Sequence, residues 1–143
     1  MSSPYNNIET KAELAFLRHI NTIGTRISGV TIHAGVDPSN LPLPYVVANA
    51  IGAEEHIFGS GQYAVELDID IVSSADDTTA DTHRQRVAYV RDELANDWVS
   101  ISLSGYVTDF TAVGVVLQKS LQTIEDRHWI TSIPMIIHCR PSD

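Results

Sequence analysis

The chain has one cysteine, Cys139, so no disulfide can form within it. Cys139 lies in an apolar, strand-like run, where a small buried hydrophobe fits better than a nucleophile. Basic residues are also scarce: 9 Lys and Arg stand against 18 Asp and Glu, a formal charge of −9. A surface that grips nucleic acid needs clustered Lys and Arg, and this composition argues against one. It does not argue against a passage through which DNA slides without sticking. No apolar run approaches the roughly 20 residues of a membrane helix. Residues 1–7 lack the charged and apolar segments of a signal peptide. The expectation is a soluble protein made in a reducing cytoplasm, with no membrane partner.

Catalytic and metal-binding signatures are missing as well. The histidines are His19, His33, His56, His83, His128 and His138, and none forms a pair with zinc-site spacing. They read as scattered surface or half-buried side chains. No Gly-x-Ser-x-Gly elbow occurs among the serines. Gly59-Ser-Gly61 lacks the Lys-Ser/Thr ending of a phosphate loop and precedes a strand, so residues 52–62 read as a hairpin loop. Asp76, Asp77 and Asp81 could approach a divalent cation, but their run lacks the alternating ligands and glycine of a calcium loop. No enzyme, cofactor or metal is expected.

What is present is a clear strand and helix. Val65, Leu67, Ile69 and Ile71 alternate with Glu66, Asp68 and Asp70, the period of a half-buried strand. An acidic turn, residues 73–79, supplies helix-capping side chains. A helix over 80–96 follows, with Ala80, Val87, Val90 and Leu94 on one side. Arg84, Arg86 and Arg91, with Asp92 and Glu93, read as its solvated face.

The remaining segments read as partners of this unit. Residues 1–6 form a flexible arm and 8–23 a helix, with Thr10 and Glu13 at capping-box spacing. Its apolar face comprises Leu14, Phe16, Leu17, Ile20 and Ile23. Residues 29–34 make a short strand. The loop 35–44 carries Pro38, Pro42 and Pro44, which enforce an extended path. Residues 45–50, apolar on both sides except Asn49, suit a covered strand. Strands are expected at 99–103 and 112–119, a polar connection at 120–126, and a long last strand at 128–139. Pro134 would place that strand at an edge or a bulge. Trp98 and Trp129 suit core or subunit-contact anchors. The sum is one α+β domain over 1–143: a mainly antiparallel, mixed sheet of five to six strands with two helices on one face.

This arrangement resembles the tail terminator (tail completion) proteins of long-tailed bacteriophages, the minor-tail-protein-U-like group. The resemblance is carried by the opening helix with Ala12-Glu-Leu-Ala-Phe-Leu17 and the Pro-rich approach Leu41-Pro-Leu-Pro-Tyr-Val-Val47. Gly61 to Val72 with the helix Arg86 to Leu94, and the closing turn and strand from Ile124 to Ile137, complete it. It covers about residues 8–139 and rests on pattern, since this group has no catalytic signature. The Ser-alternating strand 99–103, the 52–62 loop and Pro134 depart from it.

The resemblance implies a virion protein at the tail–neck junction that forms a ring, usually a hexamer. The ring caps the tail tube, ends its polymerisation and meets the head connector, with DNA as cargo through its centre. Another neck component, a head-closure or adaptor protein, is a second reading, and a small ligand-binding or enzymatic domain a third. Under the first reading Glu66, Asp68, Asp70, Asp76 and Asp77 are lumen or interface charges. The loops with Pro38, Pro42, Gly59 and Gly61 reach toward a neighbouring subunit.

Overall fold

In the computed structural model the described residues are 8–21, 30–37, 41–55, 62–95 and 110–141. Their order is α1 (Ile8–Asn21), β1 (Thr31–Ala34), β2 (Tyr45–Glu55), β3 (Tyr63–Ser74), α2 (Ala80–Ala95), β4 (Phe110–Leu117), β5 (Leu121–Glu125) and β6 (His128–Pro141). The strands form one six-stranded sheet in the order β1-β2-β3-β6-β4, with β5 also paired to β6. β1 runs parallel to β2, and the other pairings are antiparallel. The fold is the mixed, mainly antiparallel α+β arrangement that the alternating and helical periods imply.

β3 lies between β2 and β6 and is covered on its inner face by both helices. Its period of two sends Val65, Leu67, Ile69 and Ile71 inward, where all four are fully buried. There they meet Ile133, Met135 and Ile137 of β6, Ala12 and Phe16 of α1, and Val90 and Leu94 of α2. Each of these side chains apart from that of Ala12 contributes about 1.5–3 kcal/mol when fully buried. The sheet's centre is therefore its most apolar part, and its outer face carries what the alternation leaves over. Among the described residues no helix is long and apolar enough to cross a membrane.

The acidic turn ends in a helix cap. Thr82 N–H donates to Thr79 Oγ1 at 3.2 Å, so Thr79 is the N-cap of α2. Ser74 Oγ–H donates to Asp77 Oδ1 at 3.1 Å and accepts Asp76 N–H at 3.3 Å, which closes the preceding turn.

Several expectations change. β2 continues to Glu55, so residues 52–55 are strand rather than loop. A register shift between Ala50 and Gly52 lets it continue by bulging out Ile51, which is exposed. Residues 121–125 are strand β5 rather than a polar connection. A tight turn with positive φ at Asp126 (49°) and Arg127 (62°) joins β5 to β6 as a hairpin. Leu14 is 46% exposed, because α1 seats itself through Ala12 and Phe16 instead.

Pro134 lies at neither an edge nor a bulge of β6, which is paired on both sides. Its carbonyl accepts Gln118 N–H, so its backbone groups point toward the break between β4 and β5. The missing proline donor falls where no ladder bond is needed.

The arm at 1–6, the end of the first helix at 22–23, the strand at 99–103, Trp98, Pro38, Gly59 and Gly61 lie outside the described residues.

Candidate functional site

The outer face of β2, β3 and β6 gathers the acids of the central strand. Glu66, Asp68 and Asp70 point outward together because their neighbours in sequence point inward. The register places Gly52 and Ile136 beside Glu66, Asn49 and Pro134 beside Asp68, and Val47 and Ser132 beside Asp70. None of these paired neighbours is Lys or Arg. Among the described residues, neighbouring strands supply amides, hydroxyls and aliphatic groups instead of cations.

The three carboxylates differ in setting. Asp70 Oδ1 accepts a short hydrogen bond from Ser132 Oγ, 2.6 Å. Asp68 is half-buried, and burial, with the Asp70 charge next, raises its carboxyl above the usual range. Glu66 is exposed and shares a cavity of about 420 Å³ with Glu54, His138, Ile136, Gly52, Ala53 and Ala64.

One end of this face is apolar. Tyr45, Val47 and Val72 pack with Leu41 and Ile130 into a small second cluster. Leu41 comes from the loop before β2, which is strapped down by Thr31. The Thr31 N–H donates to the Pro44 carbonyl at 3.2 Å, and its hydroxyl lies 3.5 Å from the Pro42 carbonyl and 3.4 Å from that of Pro44. Pro42 itself stays exposed. Burial first and then Asp70 raise the Tyr45 phenol above its ordinary value.

Across β6, the far edge of the sheet is a β4–β5 margin with exposed aliphatic residues, of which Val116 and Leu121 share the acidic face by register. Val116 is 47% exposed, and Leu121 and Ile124 are each 59% exposed. The structure thus brings Glu66, Asp68 and Asp70 together. It leaves Asp76 and Asp77 apart from them, exposed on the turn that leads β3 across to the helical face.

Two polar constellations escape a reading by motif. The first centres on His83, which is fully buried rather than scattered at the surface. Its Nδ1 lies 2.9 Å from Ser73 Oγ and its Nε2 lies 2.8 Å from Thr131 Oγ1. Arg86 Nη1 donates to the same Ser73 oxygen at 2.9 Å, and the Trp129 ring stacks on the imidazole at 6.5 Å between centroids. The helical stripe through Ala80, Val87, Val90 and Leu94 passes through position 83, a signal that was legible. Arg84 stays exposed, as expected of a solvated face, whereas Arg86 and Arg91 are half-buried and reach off the helix. Arg91 donates to the Gln118 carbonyl and Ser120 Oγ, and Arg84 to Gln122.

The second is Glu13. Its Oε2 accepts the Ala50 N–H at 2.7 Å, on the edge of β2 just past the end of β1. A carboxylate placed for a capping box serves a distant strand instead. Nothing local in the sequence marks that contact, which spans 37 positions.

Chemically, the outer face offers negative charge, a hydroxyl–carboxylate pair and aliphatic margins. Ser132 Oγ–H donates its hydrogen bond directly to Asp70, with no histidine between them. The Ser73–His83 contact has the partners of a nucleophile pair, but both residues are fully enclosed and no substrate reaches Ser73 Oγ. Burial also pushes the Cys139 thiol up to about 12, far from a reactive thiolate. Among the described residues, no group of three or more His, Cys, Asp or Glu is arranged to hold a metal ion.

No protein-family model and no curated protein matches the chain. Its fold is similar to that of a chain in the solved structure "Virion of native gene transfer agent (GTA) particle". The TM-score is 0.59 at 15% identity, over 99% of this chain and 100% of that one. At that identity the likeness concerns the fold, and it runs end to end.

Proposed function

We propose that this protein is a structural component of a virion, a tail terminator. It forms a closed ring, a hexamer, on the end of the tail tube at the tail–neck junction. The observation that carries the reading is the end-to-end fold likeness to a chain of a gene transfer agent virion, over 99% and 100% of the two chains. The sequence resemblance to the tail terminator proteins supports the same reading independently.

The surface chemistry suits it. A ring needs two unlike patches that meet heterologously and close. The exposed aliphatic β4–β5 edge and the acidic strip along β3 are two unlike patches, set side by side across the sheet. An acidic strip of Glu66, Asp68 and Asp70 along the lumen repels phosphates, so DNA passes as cargo without being held. In this reading the chain needs no cofactor and catalyses nothing. Its partners are its own copies, the tail tube protein and the head connector.

Adding the purified protein to polymerising tail tube protein tests the role. Tubes should stop lengthening and carry a density at one end in negative-stain images. Unchanged tube lengths with no end-bound density would refute termination. Binding to the head connector without binding to tubes would reassign the chain to head closure.

A further inference from the structure

We propose that Ser73, His83 and Thr131 form an acid-released latch that holds the first half of α2 on the sheet. The two halves of this helix are anchored differently. The second half is seated by Val90 and Leu94, both in the apolar core, and by Arg91 on the 118–120 segment. The first half has one partly buried apolar contact, Val87 against the core, and is otherwise seated by polar bonds. His83 bridges β3 and β6 through Ser73 and Thr131, Arg86 joins at Ser73, and Trp129 Nε1–H donates to the Thr78 carbonyl at 2.9 Å.

The bridge works only with a neutral imidazole. A neutral ring has one N–H and one acceptor nitrogen, which match one accepting and one donating hydroxyl. A protonated ring donates from both nitrogens. One hydroxyl must then turn its hydrogen away, in an enclosed site where that hydrogen has lost its acceptor.

The charges around the ring add to this cost. From its own helix, Arg86 and Arg84 both act on His83 as cations. From β3 the ring meets neutral Ser73, and from β6 neutral Thr131 and the Trp129 ring. No carboxylate is among the described charges that act on it. Burial first, then Arg86 and Arg84, lowers its pKa from 6.5 to about 4. When the proton does arrive, the first turns of α2 separate from β3 and β6, while Val90 and Leu94 keep the rest docked.

Amide hydrogen exchange on the full chain, corrected for intrinsic rates, tests this from pH 7.5 to 4. Amides of residues 83–87 should lose at least about tenfold in protection as pH falls through 5, while Ile133 to Ile137 keep theirs. His83→Gln, which cannot titrate, should show no such pH-dependent loss. Unchanged protection of α2 down to pH 4, or the same loss in His83→Gln, overturns the latch. Should that variant fail to fold, imidazole ¹⁵N shifts of the unaltered protein decide. A ring that stays neutral until protection is lost supports the latch, and one that titrates at pH 6 or above overturns it.

Discussion

At the residue scale, Glu13 joins α1 to the stretch of β2 edge that β1 leaves uncovered. The Gly35 N–H donates to the Ala48 carbonyl, so the even-numbered residues of β2 turn their backbone groups toward β1; β1 ends at Ala34, and the Glu13 carboxylate takes the next donor, the Ala50 N–H, at 2.7 Å. Gly35 clears the way: its φ is +68°, and a Cβ there would lie 2.8 Å from Glu13 Oε1. Glu13→Ala should cost about 1.5–3 kcal/mol, the worth of a hydrogen bond to a charged group, in urea unfolding monitored by circular dichroism. Glu13→Gln keeps an acceptor and should cost less. Gly35→Ala should also destabilise, through the strained φ and the displaced carboxylate.

Two titrating residues act in opposite directions with pH. His83 has its folded pKa lowered from 6.5 to about 4, so its contribution is fully present above pH 6.5 and is lost as pH falls toward 4. Asp68 has its folded pKa raised from 3.8, so its ionisation opposes folding and the penalty grows as pH rises through the raised value. Asp68→Asn should therefore raise the urea midpoint at pH 7 and leave it nearly unchanged at pH 3. A lower midpoint at pH 7 would show that the carboxylate is paired after all.

At the scale of elements, the sequence announced β3 and α2 clearly because each obeys one period throughout. The alternation from Val65 to Ile71 and the stripe at Val90 and Leu94 correspond directly to buried residues, with Val87 partly buried beside them. β5 was hidden because all five of its residues are exposed, which leaves no alternation to read. The end of β2 was hidden because a bulge shifts the period at Ile51. Pro134 misled because the rule for proline concerns one missing donor, and here that donor faces a break in the neighbouring strand. The acidic face was legible from spacing alone. The His83 knot was legible only as a polar residue on an apolar stripe, and its partners, 10 and 48 positions away, were not.

The capped turn carries its own test. Thr79→Ala removes the oxygen that accepts the Thr82 N–H and should cost about 1 kcal/mol. Leu67→Ala, in the fully buried centre of β3, should cost about 2–5 kcal/mol. Both values are read as shifts in the urea midpoint at constant slope.

At the scale of the whole molecule, the apolar centre of the sheet is spent on the two helices, and its outer face is left acidic, hydroxyl-rich and aliphatic at the margin. That division suits a subunit whose function lies in what its surface meets. Replacing Glu66, Asp68 and Asp70 with Gln or Asn should leave the circular dichroism spectrum intact, and would slow DNA passage if these residues line a lumen. The most direct test of the central proposal is the solution mass of the purified chain by light scattering, with negative-stain images of the same sample and of a mixture with tail tubes. Rings of about six copies of the 15.7 kDa chain are expected, free or on tube ends. A strict monomer that stays monomeric beside tail tubes would contradict the proposal.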